Sequence, residues 1–387
     1  MTERTALSAE RIFDGAAWHA GCAVLCSGAE IEAVVALADL PDDAPVQQLS
    51  PGILVPGFVD LQVNGGGGVL LNEDPSVDSI RTMCQAHARF GTTALLPTLI
   101  TDTPEQTERA IDAATMAAGG AVSACLGLHL EGPHLSHARR GAHDDALVRP
   151  ASNRDIERLL AAGQAISSLL VTVAPESVTN TQISTLSQAG IRVSLGHSNA
   201  DCATAISAMQ AGASLVTHLF NAMSPLTHRE PGMVGAALSR PAVHAGMIAD
   251  GIHVDPAAMG IAIRAKEGPG RLFLVTDAMS TIGSDQTDFT LNGRTVYRSD
   301  GRLTLEDGTL AGADIDMIAS IRVLVDKVGL ELEEALRMAS LYPARALGVE
   351  DRHGRIAAGC AANLVHISND LDVRRVWIGS QSVYEAA

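Results

Sequence analysis

The sequence predicts an α/β fold: a (β/α)8 barrel of the TIM type, with a small β-sandwich domain formed from the N- and C-terminal segments. Three observations predict it. Apolar strand-like runs alternate with amphipathic, alanine-rich helical stretches through the middle of the chain. The alternation repeats eight times, and the runs are continuously apolar, as strands covered on both faces must be. Both ends of the chain show a different rhythm, short apolar runs broken by Gly, Asp and Pro. The 387 residues accommodate one barrel of roughly 250 residues together with a smaller domain.

Residues 1–52 make the first part of the β domain, with runs such as Ala23-Val24-Leu25-Cys26 and Ile31-Glu32-Ala33-Val34-Val35. Alternation of this kind, bounded by turn residues, marks short strands. The barrel occupies 53–353, with strand runs at 53–61, 92–100, 125–130, 169–174, 192–196, 214–220, 245–249 and 272–276. Helical stretches intervene, among them 77–90, 104–118, 153–162, 181–189, 200–211 and 256–265. An open doubly wound sheet shares this alternation; eight units favour closure. After the eighth run, 282–312 reads as an inserted hairpin, and helices follow at 316–328 and 332–340. Residues 354–387 return to the β domain through Ala362-Asn363-Leu364-Val365-His366-Ile367 and Val373-Arg374-Arg375-Val376-Trp377-Ile378.

Composition narrows the function. Hydrophobic residues make up 47% and aromatics only 3%, so the core is built from Ala, Val, Leu and Ile. A net charge of −17 argues against nucleic acid or an anionic membrane as partner, since both require a basic footprint. A small phosphorylated ligand remains compatible, because a few local donors suffice at short range. The six cysteines are scattered without metal-site spacing, which predicts free thiols in a reducing compartment. The opening Met1-Thr2-Glu3-Arg4 has no apolar signal-type run, and no segment approaches the roughly 20 apolar residues of a membrane span. The expected location is cytoplasmic.

Polar residues cluster where the apolar runs end. The ends read Asp60-Leu61-Gln62-Val63-Asn64, His129-Leu130-Glu131-Gly132-Pro133-His134, Gly196-His197-Ser198, Thr217-His218-Leu219-Phe220-Asn221, Asp250-Gly251-Ile252-His253 and Thr276-Asp277-Ala278. In a barrel these ends form one face, the face that carries active sites. A lone histidine at a strand end is ordinarily a satisfied core residue; six strands delivering polar groups to one rim point to a site. Glu131, His197 and His218 offer one carboxylate and two imidazoles, a donor set that suits one divalent metal, zinc by preference. Asp277 is placed as a proton acceptor for hydrolysis, or as an N-cap for the segment after it. His143, after the third run, is either a donor to a substrate carbonyl or an exposed loop histidine. Asn221-Ala222 with Arg229 suits a phosphate; Arg229 could equally pair with Glu230 at the surface. The run Gly65-Gly66-Gly67-Gly68 lacks the Lys-Ser/Thr of a phosphate-binding loop and reads as a flexible loop near the site.

Taken together, Pro56-Gly57-Phe58-Val59-Asp60 and the strand-end motifs above resemble the amidohydrolase superfamily and, within it, the N-acetylglucosamine-6-phosphate deacetylase family. The resemblance runs in order from about residue 50 to 350. It implies hydrolysis of the acetamide of N-acetylglucosamine 6-phosphate. Glu131, His197 and His218 are implied as metal ligands, Asp277 as the group that takes a proton from water and passes it to the amine, and His143 as the group that polarises the carbonyl. His253, Asn221, Ala222 and Arg229 are implied to bind sugar and phosphate, in a homodimer whose partner subunit approaches the phosphate. One departure stands out. The superfamily's first-strand His-x-His is Gln62-Val63-Asn64 here, and strand four ends in Ala174-Pro175-Glu176 without a lysine, so one metal per chain is expected. N-acetylgalactosamine 6-phosphate is the close rival substrate. A cyclic-amide hydrolase or deaminase is disfavoured by the missing pair, and a metal-free scaffold by the retained Glu131, His197, His218 and Asp277.

Overall fold

Eight parallel strands follow one another around a barrel: β1 (Phe58–Val63), β2 (Thr92–Ile100), β3 (Leu128–Glu131), β4 (Leu169–Val173), β5 (Arg192–Leu195), β6 (Leu215–Val216), β7 (His244–Met247) and β8 (Leu272–Leu274). Each pairs in parallel with the next, and a bridge from Val63 to Ala278 joins the last segment to the first. This computed structural model describes residues 4–386; Met1-Thr2-Glu3, read above for a targeting signal, and Ala387 lie outside the described residues.

Among the described residues, six of the seven α-helices between barrel strands begin on capping residues, Gly232–Ser239 being the exception. Ser76, Thr103, Ser152, Thr179, Asp201 and Asp255 each accept a hydrogen bond from a backbone N–H of the first turn. Such caps satisfy donors that the helix itself leaves free. Because each helix follows its strand, these N-termini gather on the face where the strands end, and the positive ends of the helix dipoles lie on the side of the site.

The barrel core is aliphatic, as composition predicts, with Leu61, Leu95, Leu128, Val193 and Leu274 fully or nearly fully buried. A polar seam crosses it. His129 Nε2 meets Thr172 Oγ1 at 2.8 Å, Thr172 meets Thr217 at 2.7 Å, and Thr217 meets Ser194 at 2.6 Å, so the buried hydroxyls satisfy one another.

Two sheets pack as the small domain. One holds Arg4–Ser8, Cys22–Ser27, Glu30–Ala36 and Val46–Gln48. The other interleaves both chain ends: Arg11–Phe13, Trp18–His19 and Ile53–Pro56 with Leu364–Ile367, Val373–Ile378 and Gln381–Glu385. Leu7, Val24 and Ile31 from the first sheet share a core with Ile12, Leu54 and Trp377 from the second.

Several expected elements are redrawn. The run 53–61 is two strands, since Ile53–Pro56 pairs with Leu364–Ile367 in the small domain and the barrel strand starts at Phe58. Gly57 makes the handover; a Cβ there would stand 2.0 Å from Thr93 Oγ1. The run 214–220 shrinks to Leu215–Val216, because His218 and Phe220 adopt positive φ and leave the ladder. The insertion is a four-stranded antiparallel sheet, Asp288–Leu291, Arg294–Ser299, Arg302–Thr304 and Leu310–Ala313, rather than a single hairpin. The glycine run is itself a tight hairpin: Gly65–Gly66 pairs with Val69–Leu70, and positive φ at Gly67 and Gly68 makes the turn.

Candidate active site

Strand ends carry the polar side chains into one cavity of about 530 Å³. Glu131 is the last residue of β3; His197 and His218 lie two residues beyond β5 and β6, and Asp277 three beyond β8. His197, His218 and Asp277 have φ of 47, 25 and 53°, left-handed values that are costly for residues with a Cβ. There the chain turns out of the strand and aims each side chain across the barrel mouth.

Three donor atoms converge. Glu131 Oε1 lies 3.2 Å from His197 Nε2 and 3.1 Å from His218 Nε2, and the two Nε2 atoms are 3.1 Å apart. Zinc bonds of about 2.0–2.1 Å in tetrahedral array separate neighbouring ligands by roughly 3.3 Å, so this triangle fits a small divalent cation. Two buried imidazole nitrogens facing one carboxylate oxygen is also the donor chemistry such an ion selects. His197 is fixed for the role: its Nδ1–H donates to the Arg139 carbonyl at 2.9 Å, which leaves the Nε2 lone pair free. His143 forms a looser group with Glu131 and His197, with one donor atom of each within 4.8 Å of the others. The tighter triangle identifies His218, not His143, as the third ligand candidate.

His143 is oriented otherwise. The Thr101 backbone N–H (3.3 Å) and hydroxyl (2.8 Å) both meet its Nδ1. An Nδ1 that accepts from a backbone N–H leaves the proton on Nε2. Burial, with the His197 ring nearby, holds the His143 pKa well below the ordinary histidine value, so the ring is neutral and presents an N–H. From the inserted sheet, Arg294 donates to the Ala142 carbonyl and pins this loop.

Asp277 Oδ1 accepts from Gln62 Nε2 at 3.1 Å and Asn64 Nδ2 at 2.6 Å. Gln62 Nε2 also lies 3.2 Å from both oxygens of Glu131. Burial, then the Glu131 charge, push the Asp277 pKa up to about 6. For Glu131, burial works upward but the hydrogen bonds and charges of His197 and His218 outweigh it, holding the carboxyl well below its usual range. The N-cap reading of Asp277 does not hold, since the next helix is Met317–Arg322, capped by Asp316.

Asn221, Ala222 and His253 line the same cavity, and His253 Nδ1 donates to Asp250 Oδ2 at 2.6 Å. Arg229 does not join them: it sits in the exposed stretch 225–231 and is absent from the walls of its own chain's cavity. His134 and His137 stay outside, bonded to the Arg149 carbonyl and to Asp145. Strand order alone did not reveal the orienting partners Thr101 and Arg139, or the cavity wall that Thr309 and Leu310 supply from the insertion.

An amidohydrolase family model matches residues 53–383. The chain belongs to the amidohydrolase family. Within this family, it is 46% identical to an N-acetylgalactosamine-6-phosphate deacetylase of Shewanella sp. (strain ANA-3), over 90% of this chain and 88% of that one. It is 38% identical to an N-acetylglucosamine-6-phosphate deacetylase of Haemophilus influenzae, over 88% and 89% of the two chains. The crystal structure of N-acetylglucosamine-6-phosphate deacetylase from Pasteurella multocida superposes with a TM-score of 0.94 at 36% identity, covering 98% of this chain and 99% of that one. The amidohydrolase barrel and its appended small β domain are therefore shared with deacetylases along nearly the whole chain.

Proposed function

We propose that this amidohydrolase removes the acetyl group of N-acetylglucosamine 6-phosphate, giving glucosamine 6-phosphate and acetate. The observation that carries the reading is the triangle of Glu131, His197 and His218 at 3.1–3.2 Å, linked through Gln62 to Asp277 in one cavity. These residues would hold one divalent metal, zinc by preference, which when bound polarises the amide carbonyl and acidifies water. Asp277 accepts the proton of the attacking water and delivers it to the departing amine nitrogen. Through Nε2–H, His143 donates to the carbonyl oxygen as negative charge grows there. His253, Asn221 and Ala222 hold the sugar and its phosphate.

Arg229, exposed on its own chain, is assigned to the phosphate in the cavity of a partner subunit, in a cytoplasmic homodimer. No helix among the described residues is long and apolar enough to cross a membrane. A second reading has its own support: the 46% identity to the Shewanella enzyme favours the galacto epimer. Acetate release from both 6-phosphates, with and without a chelator, separates the two. The main reading requires chelator-sensitive turnover with the gluco substrate preferred. A strong galacto preference would replace it with the second reading, and no release from either would remove both.

A further inference from the structure

Gln62 and Asn64 stand in place of the superfamily's paired histidines; the reading above uses Gln62 only as the link between Glu131 and Asp277 and gives Asn64 no role. They are alternate residues of one strand end and so share its inward face. Both are 2% exposed. A carboxylate only accepts hydrogen bonds, so the amide nitrogens must be what faces Asp277. Both nitrogens converge on Oδ1, at 3.1 and 2.6 Å, while among the described residues no protein donor reaches Oδ2. The mount is rigid. Asp277 N donates to Gln62 O at 3.0 Å, Asn64 N donates to Ala278 O at 2.9 Å, and beneath them the Thr276 hydroxyl donates to Asp60 at 2.6 Å. Gln62 alone extends the contact to both Glu131 oxygens.

We infer that Gln62 and Asn64 are positioning residues: together they immobilise Oδ1 of Asp277 and leave Oδ2 as the atom that takes and returns the proton, while Gln62 also orients Glu131 as a ligand. The inference rests on the deacetylase reading. It divides the labour between two neighbouring amides, Asn64 serving only the proton-transfer group and Gln62 serving both that group and the metal ligand.

The division gives separable results. Asn64→Ala is expected to lower kcat roughly 10- to 100-fold with KM changed less than about twofold, since a small misplacement of the reacting group costs rate rather than binding. Its zinc affinity, measured on metal-free protein by competition with a chelator, should stay within about twofold of the parent. Asn64→Asp keeps the shape but replaces the donor with a carboxylate, and should lose at least as much kcat as the alanine variant. Gln62→Ala should weaken zinc affinity about 10- to 100-fold, the usual cost of losing a partner of a metal ligand. Parental kcat in Asn64→Asp would show that only shape matters and overturn the positioning role, as would parental zinc affinity in Gln62→Ala. If the parent turns over neither sugar phosphate, the deacetylase reading fails by itself; the zinc competition needs no substrate and still decides whether Gln62 supports Glu131.

Discussion

His197, His218 and Asp277 each combine a polar side chain with a left-handed backbone, a cost that a packing role alone does not require. Their types and places were legible, because a charged or imidazole group directly after an apolar run can only emerge at the strand-end face. Their orientation was not. His143 depends on Thr101, 42 residues away, and His197 on the carbonyl of Arg139, 58 residues away, and no spacing rule connects such pairs. Gln62 and Asn64 were visible in the sequence only as missing imidazoles; their donor role emerged when the fold brought Asp277 within 3.1 Å of both. Asp277→Asn should bind zinc near normally and lose about 10²–10⁴-fold in kcat, the range for general acid–base groups. Turnover of that variant at the parental rate would remove Asp277 from proton transfer.

Strand order, the alternation with helices and the terminal β domain followed from apolar periodicity and turn residues. Boundaries were less readable where the backbone changes hand, as at His218 and Phe220, or where one apolar run serves two sheets, as at 53–61. Gly57 marks that second case. Gly57→Ala forces a methyl against Thr93 and should cost about 1–3 kcal/mol, as overpacking of a filled site does. Urea unfolding measures this, and an unchanged midpoint would mean that the handover has slack. The loop at 225–231 follows the sixth strand, yet it is exposed and Arg229 is absent from the walls of its own chain's cavity, which is why a partner subunit's phosphate is its assigned contact. Arg229→Ala should therefore reduce the preference for the 6-phosphate over the unphosphorylated sugar. Equal losses on both substrates would exclude a phosphate contact.

At the scale of the whole molecule, charge is distributed with the fold's polarity. Helix N-termini face the site, while at the opposite end Lys266 Nζ donates to the carbonyls of Ala237 and Arg240, and Arg192 Nε to that of Leu347, where helices finish. Cations are favourable at helix C-termini, so an acidic protein keeps part of its small basic complement there. Buried neutral histidines tie stability to pH. His87 is fully buried, with its ring on the Gly65 carbonyl at 2.8 Å. Burial pushes its pKa down to about 4. The unfolded chain then binds a proton that the folded chain refuses between about pH 6.5 and 4, so stability is full above that window and falls on acidification. This one group should cost about 1–2 kcal/mol at pH 5. In urea unfolding at pH 7 and pH 5, His87→Gln should lose less stability on acidification than the parent, and an identical loss would contradict the assignment.

The most direct measurement is a zinc titration of metal-free protein, following acetate release from N-acetylglucosamine 6-phosphate against metal added per chain. Activity should rise linearly and level off at one equivalent, because Glu131, His197 and His218 form one closed set of donors. Release that ignores added metal, or that continues to climb to two equivalents, would contradict a one-metal deacetylase.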